Sequence, residues 1–175
     1  NIDCGTFENH LKRGNANGYK VNEDDEPLAN ALFGLFAVGT ETFTADTAIK
    51  TAVSDETGYF EFTEIPYGEY VICEIQAPDG YILSDKQYPV TINEDGDTVE
   101  ITAENEPITV EISKLDITND EELVGATLQI IDENGEVIEE WVSTNEPHYI
   151  EAKLIAGKTY TLKETIAPDG YTIAN

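Results

Sequence analysis

The chain has 175 residues, with 36 acidic against 9 basic side chains and a formal net charge of −27. Such a polyanion is repelled by nucleic acid, which excludes that partner class, and the same repulsion disfavours anionic lipid surfaces, while like charge keeps a protein dispersed in water. Two cysteines, Cys4 and Cys73, are too few for a disulfide framework, and the sequence shows neither a membrane-spanning apolar run nor a signal peptide.

Taken in chain order, the first element is a short strand at Thr6–His10 carrying Asn9, read as the tail of a preceding unit in a longer protein. Lys20 then closes a strand, an acidic turn follows, and Leu28-Ala29-Asn30-Ala31 opens the next strand. Thr44 to Thr51 is the one helical candidate, at best a turn or two in a crossover. Period-two segments follow at 57–62, 69–72, 88–92 and 99–102, each bounded by turn residues such as Pro66-Tyr67-Gly68, Pro78-Asp79-Gly80 and Asp95-Gly96-Asp97. The last of these strands ends at Asn105. The pattern then restarts at Lys114, with Leu123-Val124-Gly125-Ala126 opening a strand. Asn134-Gly135 between apolar runs predicts a hairpin with a two-residue loop.

One phrase occurs twice. Tyr70 to Tyr81 and Tyr160 to Tyr171 share Tyr, Glu and Ala-Pro-Asp-Gly-Tyr at a constant offset of 90 residues. That offset matches a unit able to bury its own core, so the chain is read as all-β, two tandem Ig-like β-sandwiches. The expected boundaries are 1–17 for a remnant strand and linker, 18–107 for the first domain, and 108–175 for a second domain lacking its last strand.

Alternation places unexpected residues on core faces. If Tyr70 and Ile72 point inward, so does Glu74; the same holds for Tyr160, Leu162 and Glu164. Ile101, Ala103 and Asn105 share one face, as do Val110, Ile112 and Lys114. Three readings are open. These are solvated strand-end charges, or a buried Lys–Glu pair that confers specificity, or a reactive set. In the third, a desolvated Lys amine attacks the Asn side-chain carbonyl while a buried Glu shuttles protons to the departing ammonia, leaving an amide crosslink. Recurrence of the three residue types favours the third.

Lys20, Pro27-Leu28-Ala29-Asn30-Ala31, Gly58-Tyr59-Phe60, Pro66-Tyr67-Gly68-Glu69-Tyr70, the Glu74 phrase and Asn105 resemble the Cna B-type, SpaA-like (prealbumin-like) domains of Gram-positive adhesins and pilins. Lys114, Gly125-Ala126, Gly157-Lys158-Thr159-Tyr160 and the Glu164 phrase carry the resemblance through the second unit. It implies an intramolecular isopeptide bond between Lys20 and Asn105 with Glu74 as the catalytic carboxyl, and Lys114 with Glu164 as the matching pair. It further implies an extracellular stalk on the bacterial cell wall, neighbouring repeat domains as partners, and single-turnover chemistry with no cofactor. A module that binds a host matrix protein or glycan directly is the alternative. The resemblance is imperfect at Asn30, where the family has glycine, and after Glu164, where Asn175 comes too early to be the acceptor. Asn9 of another molecule, reaching Lys114 by strand complementation, would be one source of an acceptor.

Other motifs are weaker. Asn22-Glu23-Asp24-Asp25 and Asn93-Glu94-Asp95-Gly96-Asp97 have calcium-loop composition but lack the twelfth-position glutamate, so turn chemistry explains them and no metal is expected. His10 and His148 are isolated in sequence, Trp141 reads as strand packing, and Glu64, Glu69 and Glu74 lack the aromatic cleft of a glycosidase.

Overall fold

The computed structural model describes residues 6–174, and its contacts divide the chain into two compact units. The first runs up to Pro78 and resumes over Leu83–Glu106; the second comprises Asp79–Ile82 and the residues from Pro107 onward. No described residue is helical.

The first unit is a sandwich of seven strands: β1 (Arg13–Val21), β2 (Leu32–Ala37), β3 (Lys50–Val53), β4 (Tyr59–Pro66), β5 (Gly68–Gln76), β6 (Gln87–Ile92) and β7 (Thr98–Glu104). One sheet has the order β4-β1-β7, the other β3-β2-β5-β6. All pairings are antiparallel except β1 with β7, the first and last strands, which run parallel. Alternating apolar residues from both sheets meet between them: Phe33, Leu35, Phe60, Phe62, Ile65, Ile72, Val90, Ile92 and Ile101 are all buried, and Phe33 stacks on Phe60. β1 begins at Arg13, inside the segment 1–17, while Thr6–His10 forms no strand and is exposed.

The inner row of β1 is unusual in being small. Gly14, Ala16 and Gly18 face the core, and a Cβ on Gly18 would lie 2.2 Å from the Ile101 carbonyl oxygen and 2.9 Å from the Phe60 ring. Lys20 is the next inner residue of that row. The outer face of the β2–β5 layer is covered too. Phe36 packs edge-on against Phe43 of the β2–β3 connection, and Cys73 lies buried on this far side. Burial pushes the Cys73 thiol up to about 11, so it is an inert packing group. Cys4 lies outside the described residues.

Two local expectations are corrected. Thr44–Thr51 is not helical: a single turn closed by Ala48 N–H to the Thr44 carbonyl gives way to β3 at Lys50. Thr47 Oγ1 donates to the Thr42 and Thr44 carbonyls, a side-chain competition that disfavours a continuing helix.

The second unit contains β8 (Thr109–Ile112), β9 (Thr127–Ile131), β10 (Val137–Val142), β11 (His148–Glu151) and β12 (Thr161–Ile166), in sheets β11-β8 and β10-β9-β12. By pairing, these are counterparts of β1, β2, β3, β4 and β5. Counterparts of β6 and β7 do not occur among the described residues. The β9–β10 connection is five residues long, 132–136, and Asp132 N–H donating to the Glu136 carbonyl closes it around three, 133–135, which is the second correction. Asp132 accepts from the Asn134 and Glu136 N–H groups, and Gly135 alone takes positive φ, which is a turn with a glycine bulge. A type I′ two-residue loop would need Asn134 at positive φ as well.

A buried lysine, glutamate and asparagine form the candidate functional site

Lys20 is placed by its backbone. Its N–H donates to the Gly58 carbonyl at 2.7 Å and its carbonyl accepts from Leu28 N–H at 2.8 Å. Gly58 has φ +76°, and a Cβ there would meet the Lys20 carbonyl at 2.3 Å, so the Thr57-Gly58 turn needs glycine to approach β1 this closely. Glu74 comes from the other sheet. It pairs with Phe33, and the register shifts immediately afterwards at Ile75, a bulge of the kind that re-aims a neighbouring side chain. Asn105 follows β7. Lys20 pairs with Ala103, and Asn105 N–H continues the ladder to the Val21 carbonyl, so Asn105 is the next inward residue beside Lys20.

The three side chains meet at one end of the core. Lys20 Nζ lies 3.7 Å from Glu74 Oε1, with side chains 1% and 2% exposed. Asn105 Nδ2 donates to Glu74 Oε2 at 2.8 Å, and Ser84 N–H donates to the same oxygen at 2.9 Å. Burial lowers the Lys20 amine from the ordinary 10.5 to about 8, against the opposing pull of Glu74. Taking both charges out of water costs several kcal/mol each, by order of magnitude, so a pair held only for stability is better replaced by apolar groups. The geometry offers a readily deprotonated amine, an amide beside it, and one carboxyl in contact with both.

The second unit repeats part of this. Lys114 Nζ lies 3.4 Å from Glu164 Oε1, and Ala174 N–H donates to Glu164 Oε2 as Ser84 does to Glu74, again ten residues on. A bulge at Thr165 again follows the glutamate. Lys114 lies two residues beyond β8 rather than inside a strand, and its side chain is 20% exposed. No asparagine joins this pair among the described residues. Asn9 sits exposed outside any strand, and Asn175 lies outside the described residues.

Sequence reasoning missed a serine that supports each site. Ser54 Oγ donates to the Leu28 carbonyl and accepts from Ala31 N–H; Ser143 does the same for Leu123 and Ala126. The signal was present as Val-Ser at 53–54 and again at 142–143. Asn30 takes φ +68° where Gly125 takes +95°, so the turn keeps its form without glycine, asparagine being tolerant of that region.

Elsewhere, the calcium-like loops spend their oxygens on backbone N–H groups: Asp97 on Asn93 and Glu94, Asn22 on Asp24 and Glu26. His148 is not isolated in space, since it stacks on Trp141 at 4.3 Å and pairs with Glu139 at 2.8 Å.

The family model described as SpaA, prealbumin-like fold domain, matches residues 14–107 and 108–175. The trypsin-resistant surface T6 protein of Streptococcus pyogenes serotype M6 is 31% identical over 99 residues, which cover 57% of this chain and 17% of that protein. The structure of the Bacillus anthracis TIE protein aligns at 28% identity with a TM-score of 0.55, covering 93% of this chain and 30% of that one. A minor pilin of Streptococcus agalactiae aligns at 26% identity with a TM-score of 0.46, covering 56% of this chain and 46% of that one. The chain thus spans well under two thirds of the length of these relatives. With family matches over nearly its whole length, it belongs to the SpaA prealbumin-like fold domains, of which it carries two in tandem.

Proposed function

We propose that the chain is a stalk segment of a Gram-positive cell-surface adhesin or pilus-like protein, its first unit locked by an amide bond between Lys20 Nζ and Asn105 Cγ. The observation that carries this reading is the single buried carboxyl of Glu74 touching both the amine and the amide. Lys20 passes a proton to Glu74, and the neutral amine attacks the Asn105 carbonyl carbon. Glu74 then protonates the departing Nδ2 and takes the extra proton from the attacking nitrogen. One C–N bond forms and one breaks; the departing ammonia takes the remaining proton from Glu74 and leaves as ammonium, so the carboxylate ends as it began. The reaction happens once per chain.

The bond joins the first strand to the residue after the last. Tension entering at either end then passes through covalent bonds instead of peeling β1 from β7, which is what a stalk projecting from a cell wall requires. Neighbouring repeat domains are its natural partners. Intact mass tests the reading: the wild-type chain is expected lighter by one ammonia, and Lys20→Ala and Glu74→Ala are each expected at full mass. A wild-type chain at full mass refutes it.

A further inference from the structure

Lys20 Nζ, Glu74 Oε1 and Tyr88 Oη are all buried and none makes a hydrogen bond among the described residues. Buried side-chain polar atoms nearly always have a partner, so several orphans in one place need a reason. Tyr88 pairs with Ile72 across β5 and β6 and packs on the core side, in the inner row that continues through Val90 and Ile92. Glu74 is the next inner residue after Ile72, diagonal to Tyr88 and within the reach of an aromatic side chain. Burial first, and then the charges of Glu74 and Glu104, push the Tyr88 phenol up. The segment leading to Tyr88 already wraps the carboxyl. Ser84 N–H donates to Glu74 Oε2, Lys86 N–H donates to Ser84 Oγ, and Lys86 Nζ lies 5.0 Å from the Tyr88 ring centroid.

We propose that Tyr88 is a positioning residue of this site, its hydroxyl engaging Glu74 Oε1 once Lys20 turns from the carboxyl to the Asn105 carbon. The inference rests on the crosslink reading above. Lys20 is the only cation beside Oε1 among the described residues, and in the reaction it loses that charge. A phenol can donate to a carboxylate and accept from a carboxylic acid, so it holds Oε1 in both protonation states. Oε2 meanwhile stays on the Asn105 amide.

The test is a time course of crosslink formation after cell-free synthesis, read as the fraction of chain that has lost ammonia. Tyr88→Phe removes only the hydroxyl and leaves the ring beneath Lys86. Its rate is expected to fall about fivefold, the effect of one ordinary hydrogen bond, with the pH profile of the rate displaced and the final yield complete. Tyr70→Phe, a hydroxyl removed from another partly buried core-side tyrosine, is expected to match wild type in both. An unmodified wild-type mass overturns the crosslink and this role together. A crosslinked wild type with Tyr88→Phe reacting at the same rate and pH profile, or with Tyr70→Phe equally slow, overturns the role alone. A Tyr88→Phe chain that loses its β-sheet circular dichroism makes the hydroxyl a structural group, and likewise overturns it.

Discussion

Lys20 can be buried because the three inner residues before it have almost no side chain. Gly14, Ala16 and Gly18 let β1 lie close against Ile92, Phe60 and Ile101, so the lysine stem enters a core already closed by its neighbours. That closure is what pulls the amine down to about 8. In Asn105→Ala, where the proposed bond cannot form, the amine stays free and the consequence can be read. Between pH 8 and the unfolded value of 10.5 the unfolded chain holds a proton that the folded one has released, so stability rises with pH in this window. Thermal melts of Asn105→Ala are expected to move upward from pH 8 to about 9.5, short of the tyrosine range, and those of Lys20→Met/Asn105→Ala to stay level. A level response in both variants would show that the Lys20 amine is not depressed. At this scale the sequence was informative about the identities of Lys20, Glu74 and Asn105, because alternation alone assigns an inward face. It was silent on Tyr88 and Ser54, whose roles depend on which strand lies opposite.

The two copies of the repeated phrase show how much a strand owes to its neighbours. Ile72 on β5 is fully buried, whereas its counterpart Leu162 on β12 is 51% exposed. The residues are nearly alike; the difference is that β5 is paired on both edges and β12 only with β9. Ile72→Ala is therefore expected to cost the first unit about 2–5 kcal/mol, as for a sealed core position. Leu162→Ala is expected to cost the second less than about 1 kcal/mol, since half of that side chain is already in water. Denaturant titrations of the two variants measure the contrast, and equal losses would contradict it. Strand existence was legible from period two. The misread elements, Thr44–Thr51 and the β9–β10 loop, were decided by side-chain oxygens of Thr47 and Asp132 bonding to nearby backbone, which apolar periodicity does not register.

Across the whole molecule the units differ in what holds them together. The first has a core drawn from both sheets, with Phe33, Phe60, Phe62 and Ile72 fully enclosed; the second rests on Ile130, Ile150 and Leu154 with half-buried neighbours. Calorimetry is expected to show two transitions, the second unit melting first, and Lys20→Ala lowering only the upper one. A single transition, or a shift of the lower one, would overturn this assignment. The sequence by itself determined the all-β class, the two-unit repeat and the residue types of the site, because period-two patterning and a 90-residue offset are properties of order along the chain. Only the tertiary structure decided that Glu74, from one sheet, reaches both Lys20 and Asn105 on the other, and that Glu164 meets Lys114 with no asparagine beside it among the described residues. Those contacts depend on the parallel pairing of β1 with β7 and on the space left by two glycines. Both are relations between residues distant in sequence, so local pattern could suggest them but not establish them.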